Sequence, residues 1–272
     1  MGERIGIFIL TRFSVLLDRK AHSWKALRGR TNWKRYFGPS NPTLEEKRDY
    51  LFDSKRMAHR FEMFETILRP SLAQQTDRDF RHIALSSTLL PDEHRTRLDT
   101  LAAEQGFEVA YVGTDMHEEQ AFSSTNLVNP ADYDRLVTIR IDDDDALASD
   151  YVERVRSLSA LDMDDYSLTF SGGIFLSRFG SNWRIQRRVK ARTACGLVRV
   201  VRGSDTFRTV HALGPHKQIE RIVPQISVPG DDMFLMTNHE DNMSSRRSLA
   251  RAGSPIGEKD RTILRERFGL TI

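Results

Sequence analysis

The chain has 272 residues, 39% hydrophobic and 29% charged, with 16 glycines and 9 prolines, so it can bury a sizeable core and is neither disordered nor collagen-like. The 41 Lys and Arg against 38 Asp and Glu leave a formal charge of +3, too small an excess to argue for a nucleic-acid partner. A single cysteine, Cys195, excludes an intramolecular disulfide and any multi-cysteine zinc or iron-sulfur site, and it reads as a small buried hydrophobe in a reducing compartment.

Residues 4–10 are apolar on both faces, as buried parallel strands are, and predict the opening strand. This apolar run ends at Thr11 and Arg12, far short of the roughly 20 residues that span a bilayer. The expectation is a cytoplasmic protein. Residues 18–48 break the pattern with Trp24, Trp33, Lys34, Arg35 and Tyr36, then Gly38, Pro39 and Pro42, and read as an excursion or flap. Over 44–68, Phe52, Met57, Phe61, Phe64 and Ile67 recur at helical spacing, and Pro70 is expected to stop that helix. A strand at 80–86, a helix from Pro91 closed by Gly106, and strands at 107–112 and 136–141 follow. This alternation predicts an α/β fold with a mostly parallel central sheet.

Beyond residue 150 the pattern predicts a helix at 151–161 and one strand at 168–176 containing Gly172 and Gly173. Short strands at 197–201 and 206–210 and a last helix at 259–268 complete it. The C-terminal part from Met243 is rich in Arg and Ser. No internal repeat or low-complexity linker divides the chain, so one domain over 1–272 is expected.

The most informative segment is the strand at 136–141, which runs into Asp142, Asp143, Asp144 and Asp145. Four adjacent carboxylates repel one another. At the carboxyl end of a parallel strand they lie where open α/β sheets bind ligands, and a divalent cation with oxygen ligands, Mg²⁺, Mn²⁺ or Ca²⁺, would neutralise them. A solvated acidic turn capping the next helix explains the same residues. An EF-hand loop does not, because Ala146 and Leu147 stand where a ligand and a glycine are needed.

Thr138-Ile139-Arg140-Ile141-Asp142-Asp143-Asp144-Asp145-Ala146 resembles the Asp-X-Asp motif of GT-A glycosyltransferases in the form it takes in the Putative rhamnosyl transferase family. Other blocks agree in order: Thr11-Arg12-Phe13-Ser14; residues 60–72 with Gln75, Thr76 and Phe80; and Met233-Phe234-Leu235 with His239, Asn242 and Ser244, where Phe234 replaces an expected Trp. The resemblance implies a single Rossmann-like GT-A domain, with residues 1–150 as the nucleotide-sugar-binding half and 151–272 as the acceptor-side half. It further implies a metal-dependent transfer of a sugar, with rhamnose the family's expectation, from a nucleotide diphosphate donor to a hydroxyl of a cell-envelope glycan or glycolipid. Mn²⁺ or Mg²⁺ would stabilise the leaving diphosphate.

By matching the motif, Asp142 and Asp144 become the Asp-X-Asp pair. Asp144 is the direct metal ligand, and Asp142 is oriented toward ribose or metal. Asp143 and Arg140 join the donor-binding set, and Asp145 contacts the donor sugar or supports the loop. His239 fits a third metal or diphosphate contact, although a lone histidine is more often a surface or core residue. Arg12 and Phe13 suit the nucleotide, Arg12 through charge-assisted hydrogen bonds and Phe13 through stacking or, alternatively, as core. Asp232 of Gly230-Asp231-Asp232, which resembles the base-carrying segment of family 2 glycosyltransferases, is the candidate general base of an inverting transfer.

No Walker A, G-x-G-x-x-G, H-E-x-x-H or G-x-S-x-G motif occurs. A Mg²⁺-dependent phosphohydrolase or nucleotidyltransferase would use the same aspartates. The run Trp183, Arg184, Arg187, Arg188, Lys190 and Arg192 raises a different reading, a basic protein in peripheral contact with an anionic membrane, against the ordinary alternative of a solvated helix face.

Overall fold

The computed structural model describes residues 2–16, 43–116, 118–179, 182–203, 206–214, 216, 218–239 and 253–272. The aromatic and basic residues between Trp24 and Tyr36, together with Asn242 and Ser244, lie outside them.

Five apolar segments of the first half become strands: β1 (Ile5–Arg12), β2 (Arg81–Ser87), β3 (Glu108–Val112), β4 (Arg135–Asp142) and the short β5 (Ala146–Leu147). The second half contributes β6 (Asp165–Phe170), β7 (Gly172–Phe179), β8 (Asn182–Val189), β9 (Leu197–Arg202), β10 (Gln225–Val228), β11 (Phe234–Asn238) and β12 (Ser254–Pro255). A 7-stranded sheet runs β10-β6-β9-β4-β1-β2-β3. All its pairings are parallel except those of β9, which lies antiparallel between β4 and β6, so the expected mostly parallel central sheet is present and both halves of the chain build it. A second, 5-stranded sheet runs β12-β8-β7-β11-β5.

The sequence expectation of one strand over 168–176 is corrected here, because the chain leaves one sheet at Phe170 and enters the other at Gly172. The two glycines permit the crossing. A Cβ on Gly172 would stand 1.9 Å from the Gly230 carbonyl oxygen, and one on Gly173 would stand 2.3 Å from the Phe234 ring. Phe234, in the place of the expected Trp, is fully buried against that glycine. The predicted strand at 206–210 does not form either. Both edges of β9 are already taken by β4 and β6, and Val210–Leu213 make a 3₁₀ turn.

The helix predicted over 44–68 is really three helical pieces. These are α1 (Leu44–Leu51), with a Thr43/Glu46 capping box; α2 (Ser54–Met63), capped by Asp53; and a π turn at Phe64–Leu68 that leads directly into α3 (Arg69–Ala73). Pro70 does not stop the helix. It falls where the π turn passes into α3, and the widened turn before it, which bonds the Arg69 N–H to the Phe64 carbonyl, accommodates a residue that has no N–H to donate. Helix α4 (Asp92–Gln105) starts after Pro91 and ends at Gly106 in the left-handed region, φ +65°. The others are α5 (Glu118–Ser123), α6 (Tyr151–Ser159) and α7 (Glu258–Phe268). Among the described residues no helix is long and apolar enough to cross a membrane.

The basic run at 183–192 lies largely on β8 rather than on a helix. Arg187 pairs with Asp232 and Asp260, Arg192 pairs with Glu220, and Arg184 donates to the Gly253 carbonyl, so much of its charge is engaged within the chain. Cys195 is buried, as expected.

Candidate functional site

The β1–β4 register pairs Arg12 with Asp142 at the carboxyl ends of two adjacent parallel strands. An Arg12 Nη atom accordingly donates to Asp142 Oδ1 at 3.0 Å, and an Arg140 Nη atom stands 3.7 Å from the same oxygen. Burial works to raise the Asp142 carboxyl, but Arg140 and Arg12 outweigh it and hold the group below the usual carboxylate range. It is a fixed negative charge at neutral pH.

After Asp142 the chain turns, with the Asp145 N–H bonded to the Asp142 carbonyl at 3.2 Å. The four carboxylates then separate into two that stay partly exposed and two that are buried. Asp142 and Asp144 keep 39% and 17% of their side chains exposed, whereas Asp143 keeps 3%. Asp143 receives a charge-assisted bond of 2.5 Å from Arg60 on α2. Burial pushes the Asp143 carboxyl up to about 6, Arg60 pulls against it, and Asp144 and Asp142 add to the rise. Asp145 is buried and accepts the Thr237 N–H at 3.0 Å, tying the turn to β11. Asp143 and Asp145 therefore build the turn from inside rather than face a donor, and of the two roles expected of Asp145, the structure places it in loop support.

The antiparallel register of β11 on β5 sets Phe234 against Leu147 and Leu235 against Ala146, so the chain beyond β11 returns toward the aspartate turn. His239 arrives there with Nε2 3.0 Å from Asp144 Oδ2, its side chain 6% exposed. Its Nδ1 meets His59 Nε2 at 3.1 Å, and His59 Nδ1 meets Glu62 Oε2 at 3.3 Å. Arg178 at the end of β7 holds the other Glu62 oxygen at 2.7 Å. His211 adds a further electrostatic influence on Asp142 and stacks on Phe122 with ring centroids 4.6 Å apart.

Two expected site residues are placed elsewhere. Phe13 is fully buried, its ring centroid 4.8 Å from Phe61 and 5.4 Å from Phe64, so it is core and offers no face to a nucleotide. Asp232 precedes β11 while His239 follows it. At about 3.3 Å per residue, the five residues of β11 alone separate them by roughly 15 Å. Asp232 is paired with Arg187 at 3.0 Å and does not join the aspartate turn.

A divalent cation can be tested against this donor set. Asp144 Oδ2 and His239 Nε2, 3.0 Å apart, have the spacing of neighbouring ligands on an octahedral ion with bonds of about 2.1 Å. Among the described residues no group of three or more His, Cys, Asp or Glu could hold a metal by itself. Two protein donors leave most of an octahedral shell to other ligands, so this pair is not a closed protein cage.

A family model described as "Putative rhamnosyl transferase" matches residues 7–251. The chain belongs to that family. The rhamnosyl transferase match takes in Arg12, the aspartate turn, α2 and His239, and leaves α7 outside. No curated protein matches the chain. Among solved structures, one described as a putative glucose-1-phosphate thymidylyltransferase from Bacillus anthracis, in complex with a sucrose, is similar at 10% identity and a TM-score of 0.37, covering 94% of this chain and 98% of that one. HddC from Yersinia pseudotuberculosis follows at 12% and 0.34, with 84% and 92% covered, and the inositol-1-phosphate CTP transferase from T. maritima at 12% and 0.28, with 90% and 94% covered. Scores this low carry no functional argument.

Sequence reasoning singled out neither His59, Glu62, Arg178 nor His211, and it noted Arg60 only as the start of a family block. The available signal was on α2, where Arg56, His59, Arg60 and Glu62 surround the apolar stripe of Met57 and Phe61 with polar groups at one-turn spacing.

Proposed function

We propose that this chain is a metal-dependent glycosyltransferase that moves a sugar, rhamnose by the family's description, from a nucleotide diphosphate donor to a hydroxyl of a glycan or glycolipid. Family membership supports the nucleotide-sugar transferase role. The observation that carries the finer reading is the convergence of Asp144 and His239 at 3.0 Å, beside an Asp142 kept ionised by two arginines. When bound there, a divalent cation supplies Lewis acidity toward the leaving diphosphate. Asp144 and His239 hold it, while Asp142, anchored by Arg12, presents its second oxygen to ribose or metal. Arg12 and Arg140 place positive charge where a diphosphate would approach. Arg60, through Asp143, ties the turn to α2.

The test is a panel of nucleotide sugars screened for thermal stabilisation with and without Mn²⁺, followed by nucleoside diphosphate release with candidate acceptors. The expected result is Mn²⁺-dependent stabilisation by one donor class and release that requires acceptor. Stabilisation indifferent to divalent cations would overturn the metal role. Pyrophosphate release from a nucleoside triphosphate and a sugar 1-phosphate would make the protein a nucleotidyltransferase instead.

A further inference from the structure

We infer that His59 and Glu62 on α2 are positioning residues that orient His239 as a metal ligand by fixing which of its ring nitrogens carries the proton. The inference rests on the metal reading above and adds two residues to it. Glu62 Oε2, His59, His239 and Asp144 Oδ2 form an unbroken line with contacts of 3.3, 3.1 and 3.0 Å. The two rings meet edge to face, their centroids 4.5 Å apart and their planes at 70°.

Each of the three contacts is bridged by a proton or a cation, and with a cation between His239 Nε2 and Asp144 the other two contacts take one ring proton each. A carboxylate only accepts, so Glu62 takes the proton on His59 Nδ1. His59 Nε2 is then an acceptor, and the donor to it is His239 Nδ1–H. His239 Nε2 is left with its lone pair aimed at the Asp144 carboxylate. Lone pairs 3.0 Å apart repel, and a cation held by both converts that repulsion into ligation.

The reversed arrangement, with both protons turned the other way, places a bare His59 nitrogen against Glu62 and offers no ligand at His239 Nε2. The two ends differ in their surroundings. The His239 side chain is 6% exposed, whereas Glu62 is 46% exposed, so water reaches the Glu62 end far more readily than the Asp144 end. Arg178 fixes Glu62 from the far side at 2.7 Å, so the carboxylate that starts the line is itself held. Glu62, held by Arg178, therefore favours the arrangement that leaves His239 Nε2 bare, which is the one an ion at Asp144 requires.

The experiment measures Mn²⁺ affinity by electron paramagnetic resonance in the presence of inorganic pyrophosphate, for wild type, Asp144→Asn, His59→Leu, His59→Gln and Glu62→Leu, each checked for folding by circular dichroism. Alongside it, nitrogen-15 shifts of His239 are read in the Mg²⁺-loaded protein. His59→Leu and Glu62→Leu are expected to weaken Mn²⁺ binding on the order of tenfold, the usual range for an outer partner of a ligating histidine. His59→Gln, whose side-chain oxygen can accept from His239 Nδ1–H, is expected to retain most of the affinity. The loaded wild type is expected to show Nδ1 protonated and Nε2 bare. Wild-type binding that Asp144→Asn abolishes but His59→Leu leaves intact would overturn the positioning role alone, whereas a protonated Nε2 in the loaded protein would overturn His239 as a ligand and this inference with it. No Mn²⁺ binding by wild type would overturn the metal reading and this inference with it.

Discussion

His239 Nε2 stands 3.0 Å from Asp144 Oδ2, although 95 residues separate the two in sequence. The antiparallel pairing of β11 on β5 is what joins them. Because one partner lies on a turn and the other on a sheet terminus, replacing either should disturb ligand chemistry more than folding. Asp144→Asn is expected to abolish Mn²⁺-dependent donor binding while leaving the circular dichroism spectrum and melting temperature near those of wild type, since it relieves like-charge repulsion and opens no cavity. His239→Ala should weaken the same binding less, because the carboxylate supplies the charge. Titration of Mn²⁺ with a stabilising donor checks both; full activity of Asp144→Asn would exclude it as a metal ligand.

Arg60 matters for a different reason. It reaches from α2 to a carboxylate that is 3% exposed, and truncating it leaves Asp143 buried next to Asp142 and Asp144 with its nearest cation gone. Arg60→Leu is expected to cost about 3 kcal/mol of stability, the usual cost of breaking one side of a buried pair. The double variant with Asp143→Asn should recover part of that loss, because it removes the buried acid whose ionised form Arg60 supports. Urea denaturation of the two single variants and the double variant measures the coupling. Strictly additive losses would show that Arg60 does not hold the turn through Asp143.

A second buried network predicts a pH dependence. Arg69 donates to His82 Nδ1 at 3.0 Å, so the His82 Nε2–H bonds Thr11 Oγ1 at 3.0 Å. Burial, with the Arg69 charge adding to it, holds His82 well below its ordinary value of 6.5. The folded imidazole therefore stays neutral while the unfolded one takes up a proton below about 6.5, so this contribution is complete above that pH and is lost as pH falls toward the folded value. The slope attributable to His82 approaches about 1.4 kcal/mol per pH unit within that window. Wild type and His82→Gln, compared by urea denaturation from pH 7 to pH 5, should converge in stability as the solution is acidified. Parallel curves would mean that His82 protonates equally in both states.

The legible parts of this molecule were those written in contiguous residues. The β4 run and its carboxylate end mark both the strand and the candidate site, and Asp142 and Asp144, two positions apart, both stay partly exposed. The sequence could not show that Asp143 and Asp145 point inward, because their partners Arg60 and Thr237 lie on α2 and β11, whose approach depends on tertiary packing. Periodicity identifies Met57, Phe61 and Phe64 as the buried stripe but not what its polar neighbours His59 and Glu62 will face. The sequence leaves Phe13 open between stacking and core for the same reason, since it does not show Phe61 and Phe64 closing on its ring. Residues 168–176 read as one strand because apolar character runs through them. Its glycines, which mark the passage between two sheets, were the overlooked signal.

Asp232 provides the sharpest test of the geometry. The Gly-Asp-Asp segment suggested a general base, yet the structure sets it at the far end of β11 from His239, bonded to Arg187. Asp232 holds φ at +50°, a left-handed conformation that asparagine also tolerates, so Asp232→Asn changes the charge with little backbone strain. The lost ion pair involves an Arg187 side chain that is 44% exposed, and its removal should cost no more than about 1 kcal/mol. Sugar transfer by Asp232→Asn is therefore expected to match wild type in kcat and in its pH profile, with at most a small fall in melting temperature. A general base would behave otherwise: kcat would fall by about a hundredfold or more, and the ascending acid limb of the profile would disappear. Either change, with donor affinity preserved, would place the acceptor beside Asp232 and require the reacting centre to be moved away from the Asp144–His239 pair.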